Sequence, residues 1–443
     1  MQRKLLAKLL AIAALSLLLL IPLSMIETQI SARSARQDDV TRNIAESSAG
    51  QQTLAGPVVL VRYRERVERR IKDETTGREL VRQEIVERTQ IFPPQNLDIG
   101  GDVRVESLKR GLYRVRLYHL AAQVSGTAVI PPKLGLEGTI DIVDAQAVLV
   151  MGVTDPRGVE TDPEVRVDGK SLRFATGTAG AVAGQGLHVV LGEFDPASGS
   201  KYAFSFPLNL TGLERLAIAP AGNSTRVTLK SDWPHPSFQG RFLPQTRTVT
   251  KDGFEAQWQV SHLARNFDRI LKAGHEQGGG ETFGISLIDP VNIYLKSERA
   301  VKYGILFVIL TFAAFFLTEI LRQLPIHPMQ YLLVGLALAM FFLLLIALSE
   351  HVDFLVAYAI SSAACVVLIG AYLAGALGSR VRGHAFGAGI AALYGVLYGV
   401  LLSEDNALLM GTLLLFLALG TTMLSTRRLN WYRIGGQAGE EVQ

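Results

Sequence analysis

The sequence predicts an α+β membrane protein with an N-terminal transmembrane anchor, a large β-rich domain and a C-terminal five-helix transmembrane bundle. Three observations lead to this fold class. A charge-free apolar run from Leu9 to Ile26 follows a basic N-terminus, and strand-like alternation fills the middle of the 443-residue chain. From Tyr303 onward, apolar segments follow one another with short polar breaks. A helix needs about 20 apolar residues to cross a bilayer, and most of these segments are that long.

The C-terminal bundle is predicted from five segments that contain no Asp, Glu, Lys or Arg. These segments are Tyr303 to Thr318, Pro328 to Ser349, Phe354 to Ser379, Ala385 to Ser403 and Ala407 to Thr426. The first is slightly short and reaches full length if Glu319 lies at the membrane interface. Gly395 to Gly399 and Ala371 to Gly375 are small-x-x-x-small pairs, which predict close helix contacts.

The N-terminal apolar run predicts an uncleaved anchor. Arg3 and Lys4 precede it, as they would precede either a signal peptide or an anchor. The run of about 18 residues exceeds the apolar core of a cleaved signal, and no small-x-small cleavage site follows Ile26 directly. Beyond it, Ile30, Val40 and Ile44 have helical spacing, which predicts that the anchor helix continues outward.

The middle of the chain reads as strands and turns. Runs rich in Val, Ile and Tyr with alternating charge predict strands, and Asp168-Gly169 predicts a tight hairpin turn because both positions accept positive φ. A helical segment is predicted from Ser261 to Ala273. The strands are predicted at Pro57 to Val67, Glu79 to Phe92, Val103 to Leu108, Tyr113 to Val124, Ala145 to Val153, Val165 to Val167, Ser171 to Phe174, Leu187 to Leu191, Tyr202 to Leu210, Arg226 to Ser231, Phe254 to Val260 and Thr282 to Leu287.

Charge in the short loops predicts the orientation of the chain. Basic residues occur before the first span, between the second and third, between the fourth and fifth, and after the last. The remaining short loops are acidic. By the positive-inside rule this predicts six spans, both termini in the cytoplasm and the β-rich domain on the outer side. The net charge of +4 belongs largely to these flanks, so no nucleic-acid partner is expected.

Catalytic and metal-binding motifs are not found in the sequence. The single cysteine, Cys365, lies in an apolar span and rules out an intramolecular disulfide. The histidines of the β-rich region are scattered, and there is no Gly-x-Ser-x-Gly, Ser-x-x-Lys or His-Glu-x-x-His pattern. We therefore expect no enzymatic activity, no cofactor and no metal, although catalytic groups can also converge in space from distant positions.

Two groups of residues are candidate functional sites. Trp233 and His235 lie in a Pro-flanked turn, which could present an aromatic ring and an imidazole to a partner or could pack on the domain. The second group consists of Glu350, His351, Glu404 and Asp405. These four lie at predicted outer ends of spans and could form a proton or cation site, or could be ordinary interfacial residues.

Several stretches resemble the CreD family of bacterial inner-membrane proteins. They are Ser231 to Phe238, Leu324 to Leu336, Ala347 to His351 and Asn406 to Thr412, with Asp155 to Gly158 and Gly186 to Val189 in the β-rich domain. The resemblance covers nearly the whole chain in the same order. It implies a cell-envelope integrity protein of Gram-negative bacteria, linked to envelope stress, β-lactam response and colicin tolerance through a two-component regulator. It implies no catalytic residues.

The predicted organisation is an anchor at residues 1–26, a periplasmic β-rich domain at 27–300, a five-helix transmembrane bundle at 301–426 and a cytoplasmic tail at 427–443. The predicted function is non-enzymatic support of envelope integrity, with the lipid bilayer and possible envelope proteins or cell-wall components as partners. One alternative is a small-molecule transporter or channel that uses the outer acidic residues. Another is a periplasmic enzyme acting on cell-wall or lipid material.

Overall fold

The computed structural model describes residues 2–72, 79–137, 141–182, 184–266, 281–287, 293–322, 326–376, 378–402 and 407–427. The chain forms two compact units. One combines Met1–Gln37 with Val291–Gln443, and the other is Asp38–Pro290. The first is helical and the second is rich in β-strand, which confirms the predicted α+β membrane fold class.

Eight α-helices lie in the described residues. They are α1 Gln2–Leu18, α2 Leu20–Ser47, α3 Ile293–Lys302, α4 Gly304–Arg322, α5 Pro328–Ser349, α6 Phe354–Ala376, α7 Arg380–Leu402 and α8 Ala407–Thr426. Six segments of the described chain are long and apolar enough to cross a membrane. These are Leu6–Ser47, Gly304–Leu321, Pro328–Ser349, Phe354–Ala376, Arg380–Leu402 and Leu409–Thr426. The continuation of the N-terminal helix to Ser47 confirms the helical spacing found in the sequence.

The start of α5 shows how sequence sets a helix end. Pro328 occupies the first turn, where its missing N–H group costs no helical hydrogen bond. His327 Nδ1 accepts from the Met329 backbone N–H at 3.2 Å, and Gln330 Oε1 accepts from the His327 N–H at 3.2 Å. The two reciprocal bonds satisfy backbone donors that the helix itself leaves unpaired.

The small-residue pairs predicted to bring helices together are only partly used. A Cβ atom added at Gly395 or Gly375 would meet no atom within 4 Å, so the prediction is wrong at these two positions. A Cβ added at Gly399 would lie 3.1 Å from Met410 Cε of α8, which confirms a close contact there. A closer approach occurs between α6 and α7, where a Cβ on Gly383 would lie 2.5 Å from the Ala374 nitrogen. A side chain at Gly383 would therefore push these two helices apart.

The β-rich unit contains sixteen strands in its described residues. They are β1 Gln52–Lys72, β2 Glu79–Phe92, β3 Asn96–Arg110, β4 Tyr113–Ile130, β5 Asp141–Val153, β6 Glu164–Val167, β7 Lys170–Arg173, β8 Ala175–Thr176, β9 Gly186–Phe194, β10 Ser200–Leu213, β11 Arg215–Ala219, β12 Ser224–Ser231, β13 Ser237–Gly240, β14 Thr246–Thr250, β15 Gly253–Ser261 and β16 Phe283–Ser286. Each predicted strand overlaps one of these, and β8, β11, β13 and β14 are additional.

The strands form two eight-stranded sheets. In the first, the order is β13-β16-β11-β1-β5-β9-β8, with β2 paired to β1; in the second it is β14-β15-β12-β3-β4-β10-β6-β7. The β1–β11 and β12–β3 pairs are parallel, and the other named pairs are antiparallel. Apolar side chains from both sheets form one buried core, in which Trp258 and Phe283 stack with ring centroids 5.4 Å apart.

Two local predictions in this unit have clear outcomes. Asp168 and Gly169 both have positive φ and join β6 to β7, which confirms the hairpin. The helix predicted to begin at Ser261 is wrong at its start, because β15 continues to Ser261 and only a single 3-10 turn, His262–Ala264, follows. Residues 267–273 of that prediction lie outside the described residues.

The hairpin of β1 and β2 extends beyond the sheet that contains it. Pairing between β1 and β5 ends at Arg66 with Asp141, whereas pairing between β1 and β2 continues to Lys72 with Glu79. At about 3.3 Å per residue, the extension is a two-stranded ribbon roughly 20 Å long.

Within the β-rich unit, the last turn of α2 is bound by the segment Asp155 to Gly158, one of the stretches noted in the sequence. Arg157 donates to the Glu46 carbonyl at 2.7 Å and to the Ala45 carbonyl at 3.2 Å, which lie in the last turn of α2. It also donates to both carboxylate oxygens of Asp155, at 2.9 and 2.6 Å. The guanidinium thus occupies carbonyls that a helix C-terminus leaves unpaired.

A buried glutamine completes this junction. Gln52 donates to the Asp155 carbonyl at 2.9 Å and to the Thr211 carbonyl at 3.1 Å, and its own carbonyl accepts from the Asp155 N–H at 3.1 Å. The hydrogen bonds from Arg157 hold the pKa of Asp155 below its usual value, because they favour the ionised carboxylate. Gly158 lies against Gln52 with no room for a side chain.

Candidate functional site

The turn that contains Trp233 and His235 is held by its own hydrogen bonds. It connects β12 to β13, and Pro234 and Pro236 restrict its backbone. The Trp233 indole N–H donates to the His235 carbonyl at 2.9 Å, and the Trp233 backbone N–H donates to Ser231 Oγ at 3.2 Å. The Trp233 ring packs on the sandwich core, while His235 is exposed. The turn therefore exposes the His235 imidazole at the surface, and its backbone is held by these hydrogen bonds.

A basic residue of the β3–β4 hairpin contacts this turn. The Arg116 guanidinium carbon lies 4.6 Å from the centroid of the Trp233 ring, a cation–π contact. Arg114 projects from the same face of β4 two residues earlier, and Lys109 is its direct cross-strand partner on β3. We call Lys109, Arg114, Arg116, Trp233 and His235 the basic–aromatic surface.

Lys109 and Arg114 are two like charges directly opposite each other on neighbouring strands. Both side chains are exposed, and no ion pair to either is found among the described residues. Like charges directly opposite each other on neighbouring strands destabilise the pair. The sequence showed only the alternation of basic and apolar residues in β4, and the cross-strand register was needed to bring the cations together.

The predicted acidic group at the membrane unit is only partly described. Glu350 directly follows α5. Its side chain is 6% exposed, and its carboxylate lies 3.5 Å from Arg33 of α2. Tyr294 of α3 donates to the same carboxylate at 3.3 Å. His351 is exposed, and its Nδ1 lies 3.0 Å from the carbonyl of Ala347 in its own helix.

Glu404 and Asp405 lie outside the described residues, so the four-residue site stays a prediction. The structure adds a basic partner and a phenol for Glu350, neither of which adjacent sequence could show. The two contacts join the end of α5 to α2 and α3 through one carboxylate.

A second ion pair joins α1 to the same unit. Lys8 Nζ contacts the Glu319 carboxylate of α4 and donates to the Ile326 carbonyl at 2.9 Å. Tyr331 of α5 donates to the other Glu319 oxygen at 2.9 Å. Glu319 is thus held from two sides, which offsets much of the cost of placing a carboxylate beside apolar helices.

The β-rich unit contains a cluster that sequence analysis missed. His119 Nδ1 lies 2.6 Å from Glu160 Oε1, and Thr211 Oγ1 donates to the same oxygen. Hydrogen bonds from Thr211 and His119 lower the pKa of Glu160. Thr211 and His119 are cross-strand partners on β10 and β4, a register that the spacing of these residues does not reveal.

This cluster resembles the base and orienting group of a catalytic arrangement. Glu160 holds Nδ1 of His119 and leaves Nε2 available as a proton acceptor. The charged group recorded near Nε2 is the Glu106 carboxylate, at 3.8 Å, and no Ser, Thr or Cys contact to Nε2 is recorded in the described chain. The Thr211 hydroxyl lies 3.1 Å from Nδ1, on the side of the ring that faces Glu160, and not at Nε2.

Metal ligands do not group in the parts of the chain that the structure describes. No set of three or more His, Cys, Asp or Glu side chains there could hold a metal ion. The described structure thus adds no metal centre to the candidate residues.

Comparisons with known proteins identify the family. The family model for "Inner membrane protein CreD" matches residues 4–432. The chain is 36% identical over 422 residues to Inner membrane protein CreD of Escherichia coli (strain K12), covering 94% of this chain and 91% of that protein.

Solved structures give much weaker likenesses. An M1 zinc metallopeptidase from Deinococcus radiodurans matches with a TM-score of 0.20 and 13% identity, over 38% of each chain. A two-domain M1 zinc metallopeptidase bound to L-tryptophan matches with a TM-score of 0.20 and 12% identity, over 38% of this chain and 39% of that chain. These scores are too low to support an inference. The family match covers nearly the whole chain and agrees with the six apolar helices, and the chain therefore belongs to the CreD family of multi-pass inner membrane proteins.

Proposed function

We propose that this protein is non-enzymatic and supports the integrity of the cell envelope by binding an envelope component or a protein partner through its β-rich domain. In this proposal the domain faces the periplasm and both chain termini are cytoplasmic. The loop-charge alternation supports that orientation. The role in envelope stress, including tolerance to β-lactams and colicins, is the one that the family resemblance implies.

The observation that carries the proposal is the basic–aromatic surface. Its cations Lys109 and Arg114 face each other across a strand pair and have no recorded counter-ion in the described chain. Arrangements that cost stability persist where they serve binding. Arg116, on the same face of β4 as Arg114, contacts Trp233, whose turn is fixed by its own hydrogen bond, so a ligand would meet a preformed surface.

The membrane unit has a different character. Glu319 and Glu350, two carboxylates at span ends, are each engaged by a basic residue and a tyrosine. These contacts use the carboxylates to join helices. They support the interpretation that this unit is a structural membrane anchor for the β-rich domain.

Complementation of a deletion strain tests this proposal. The full chain, Lys109→Glu/Arg114→Glu and the control Arg166→Glu/Lys201→Glu would be compared for resistance to envelope stress. The control reverses two exposed cations on other strands and changes the net charge equally. Membrane levels of all three proteins must match. We expect the first variant to lose resistance and the control to retain it, with His235→Ala showing a partial loss.

The opposite pattern would refute the proposal. Full resistance in the Lys109→Glu/Arg114→Glu variant, together with loss in Glu350→Ala or His351→Ala at normal protein level, would favour transport. Loss caused by His119→Ala alone, with the fold intact, would favour an enzyme.

A further inference from the structure

We propose that the tip of the β3–β4 hairpin binds the phosphate head groups of anionic phospholipids, using the basic–aromatic surface. This inference rests on the proposed binding function and names its ligand. It is carried by three features of the hairpin: the charges on one face, an exposed apolar residue at the tip and a base anchored in the domain.

The charges match a phosphate-bearing ligand. Residues 109–116 contain four basic side chains and no acidic one. Lys109 and Arg114 share a face, and a phosphate between them would relieve their mutual repulsion while accepting hydrogen bonds from both. Arg116 lies further along the same face and is stacked on Trp233. It therefore contributes positive charge near the site and is not proposed to bind the phosphate directly.

The apolar tip distinguishes a lipid from a free phosphate ion. Leu112 is 46% exposed, and it directly follows Gly111, whose φ of 64° forms the turn. Tyr113, half buried, comes next. Surfaces that bind membranes combine apolar residues, which enter the acyl region, with flanking Lys and Arg, which meet the head groups. A soluble anion would give the exposed leucine no partner.

The base of the hairpin is fixed within the β-rich unit. Leu108 and Val115, directly opposite each other below the tip, belong to a small apolar cluster that includes Ile44 of α2. Val40 packs against the same cluster. The tip therefore projects from a packed base, and binding would not require the hairpin to become ordered first.

The test places a probe at the tip of the full-length protein. Leu112→Cys, in a Cys365→Ala background, would carry an environment-sensitive fluorophore. The protein would be reconstituted in phosphatidylcholine nanodiscs with or without phosphatidylglycerol, and nitroxide-labelled lipid would serve as quencher. Lys170→Cys, on the β6–β7 hairpin, provides the control probe site. Retained fold would be checked for each variant by limited proteolysis.

We expect quenching and a blue shift at Leu112→Cys that require phosphatidylglycerol and weaken with salt. In Lys109→Gln/Arg114→Gln, the ratio of lipid-bound to free tips should fall about 25-fold, at roughly fivefold for each charge removed. Arg166→Gln/Lys201→Gln should leave the ratio unchanged. The salt dependence is measured on the hairpin with its native charges. It therefore tests the inference even if the charge variant misfolds.

Several results would overturn the inference. These are equal quenching with and without phosphatidylglycerol, equal quenching at Lys170→Cys, or binding of inorganic phosphate without any quenching by lipid. If quenching is absent but Lys109→Glu/Arg114→Glu still fails in complementation, the lipid assignment is wrong and the broader binding function stands. If both assays show no effect, both proposals fail.

Discussion

Replacing Gly158 by alanine tests the junction at the end of α2, which lies within the β-rich unit. The added Cβ would lie 2.5 Å from Gln52 Nε2, 3.1 Å from Ala49 Cβ and closer still to the Thr211 carbonyl oxygen. The nearest of these atoms is backbone, which cannot swing aside like the end of a flexible side chain. Gln52 would have to give up its hydrogen bond to Thr211, and its amide is fully buried.

The expected cost follows from these contacts. Forcing an extra methyl group into a filled site costs about 1–3 kcal/mol. A buried amide that loses a partner costs about 1–3 kcal/mol more, and partial relaxation reduces the sum. We therefore expect Gly158→Ala to lower the free energy of unfolding by about 2–4 kcal/mol, a large part of the roughly 5–15 kcal/mol that stabilises a typical domain.

Urea unfolding of the full chain in detergent, followed by the fluorescence of buried Trp258, would measure this change. Gly50→Ala is the matched control, because Gly50 belongs to the same junction and an added Cβ there would meet nothing within 4 Å. Gly50→Ala should change the free energy of unfolding by less than about 0.5 kcal/mol. Equal effects of the two substitutions would show that steric exclusion at Gly158 is not what the junction requires.

Two further predictions concern buried charge. Exchanging the partners in Lys8→Glu/Glu319→Lys should recover most of the thermal stability that Glu319→Lys alone loses in detergent, because the ion pair is restored with its sign reversed; no recovery would show that the pair contributes little. Burial, with a further effect of Asp38, raises the pKa of Glu214, so its ionised form is penalised in the folded state. Glu214→Gln should therefore raise the melting temperature at pH 7 and lose that advantage below about pH 4, where the carboxyl is protonated in both states; a constant difference across that range would contradict the reasoning.

The membrane helices could be predicted because lipid imposes a simple rule on sequence. An uncharged run of sufficient length has few alternatives to a membrane helix. Helix α3 escaped prediction because Ile293–Lys302 is short and carries several charges, and its burial depends on neighbouring helices. The strand β14 was missed for a related reason: all five of its residues are exposed, and pairing with β15 defines it.

The candidate sites also combine features that the sequence predicts with features that only the structure shows. The prolines around His235 showed a rigid turn, since their effect on the backbone is local. The partners of the candidate residues were not accessible from sequence: Arg33 is far from Glu350 along the chain, and Arg116 reaches Trp233 from another strand. Cross-strand register and helix packing decide these contacts, and neither has a signature in the neighbouring residues.

The ribbon formed by β1 and β2 exposes a sheet edge that could pair with other chains. Past the end of β5 pairing, the outer backbone of the ribbon has no strand beside it among the described residues, and such edges recruit strands from other chains. The described side chains there are largely charged. Glu68 is exposed, and Arg69 faces Arg82 directly while reaching Glu84 at 3.4 Å. Any second copy that tried to extend this sheet would have to desolvate those charges, so the ribbon can project into solvent without seeding aggregation.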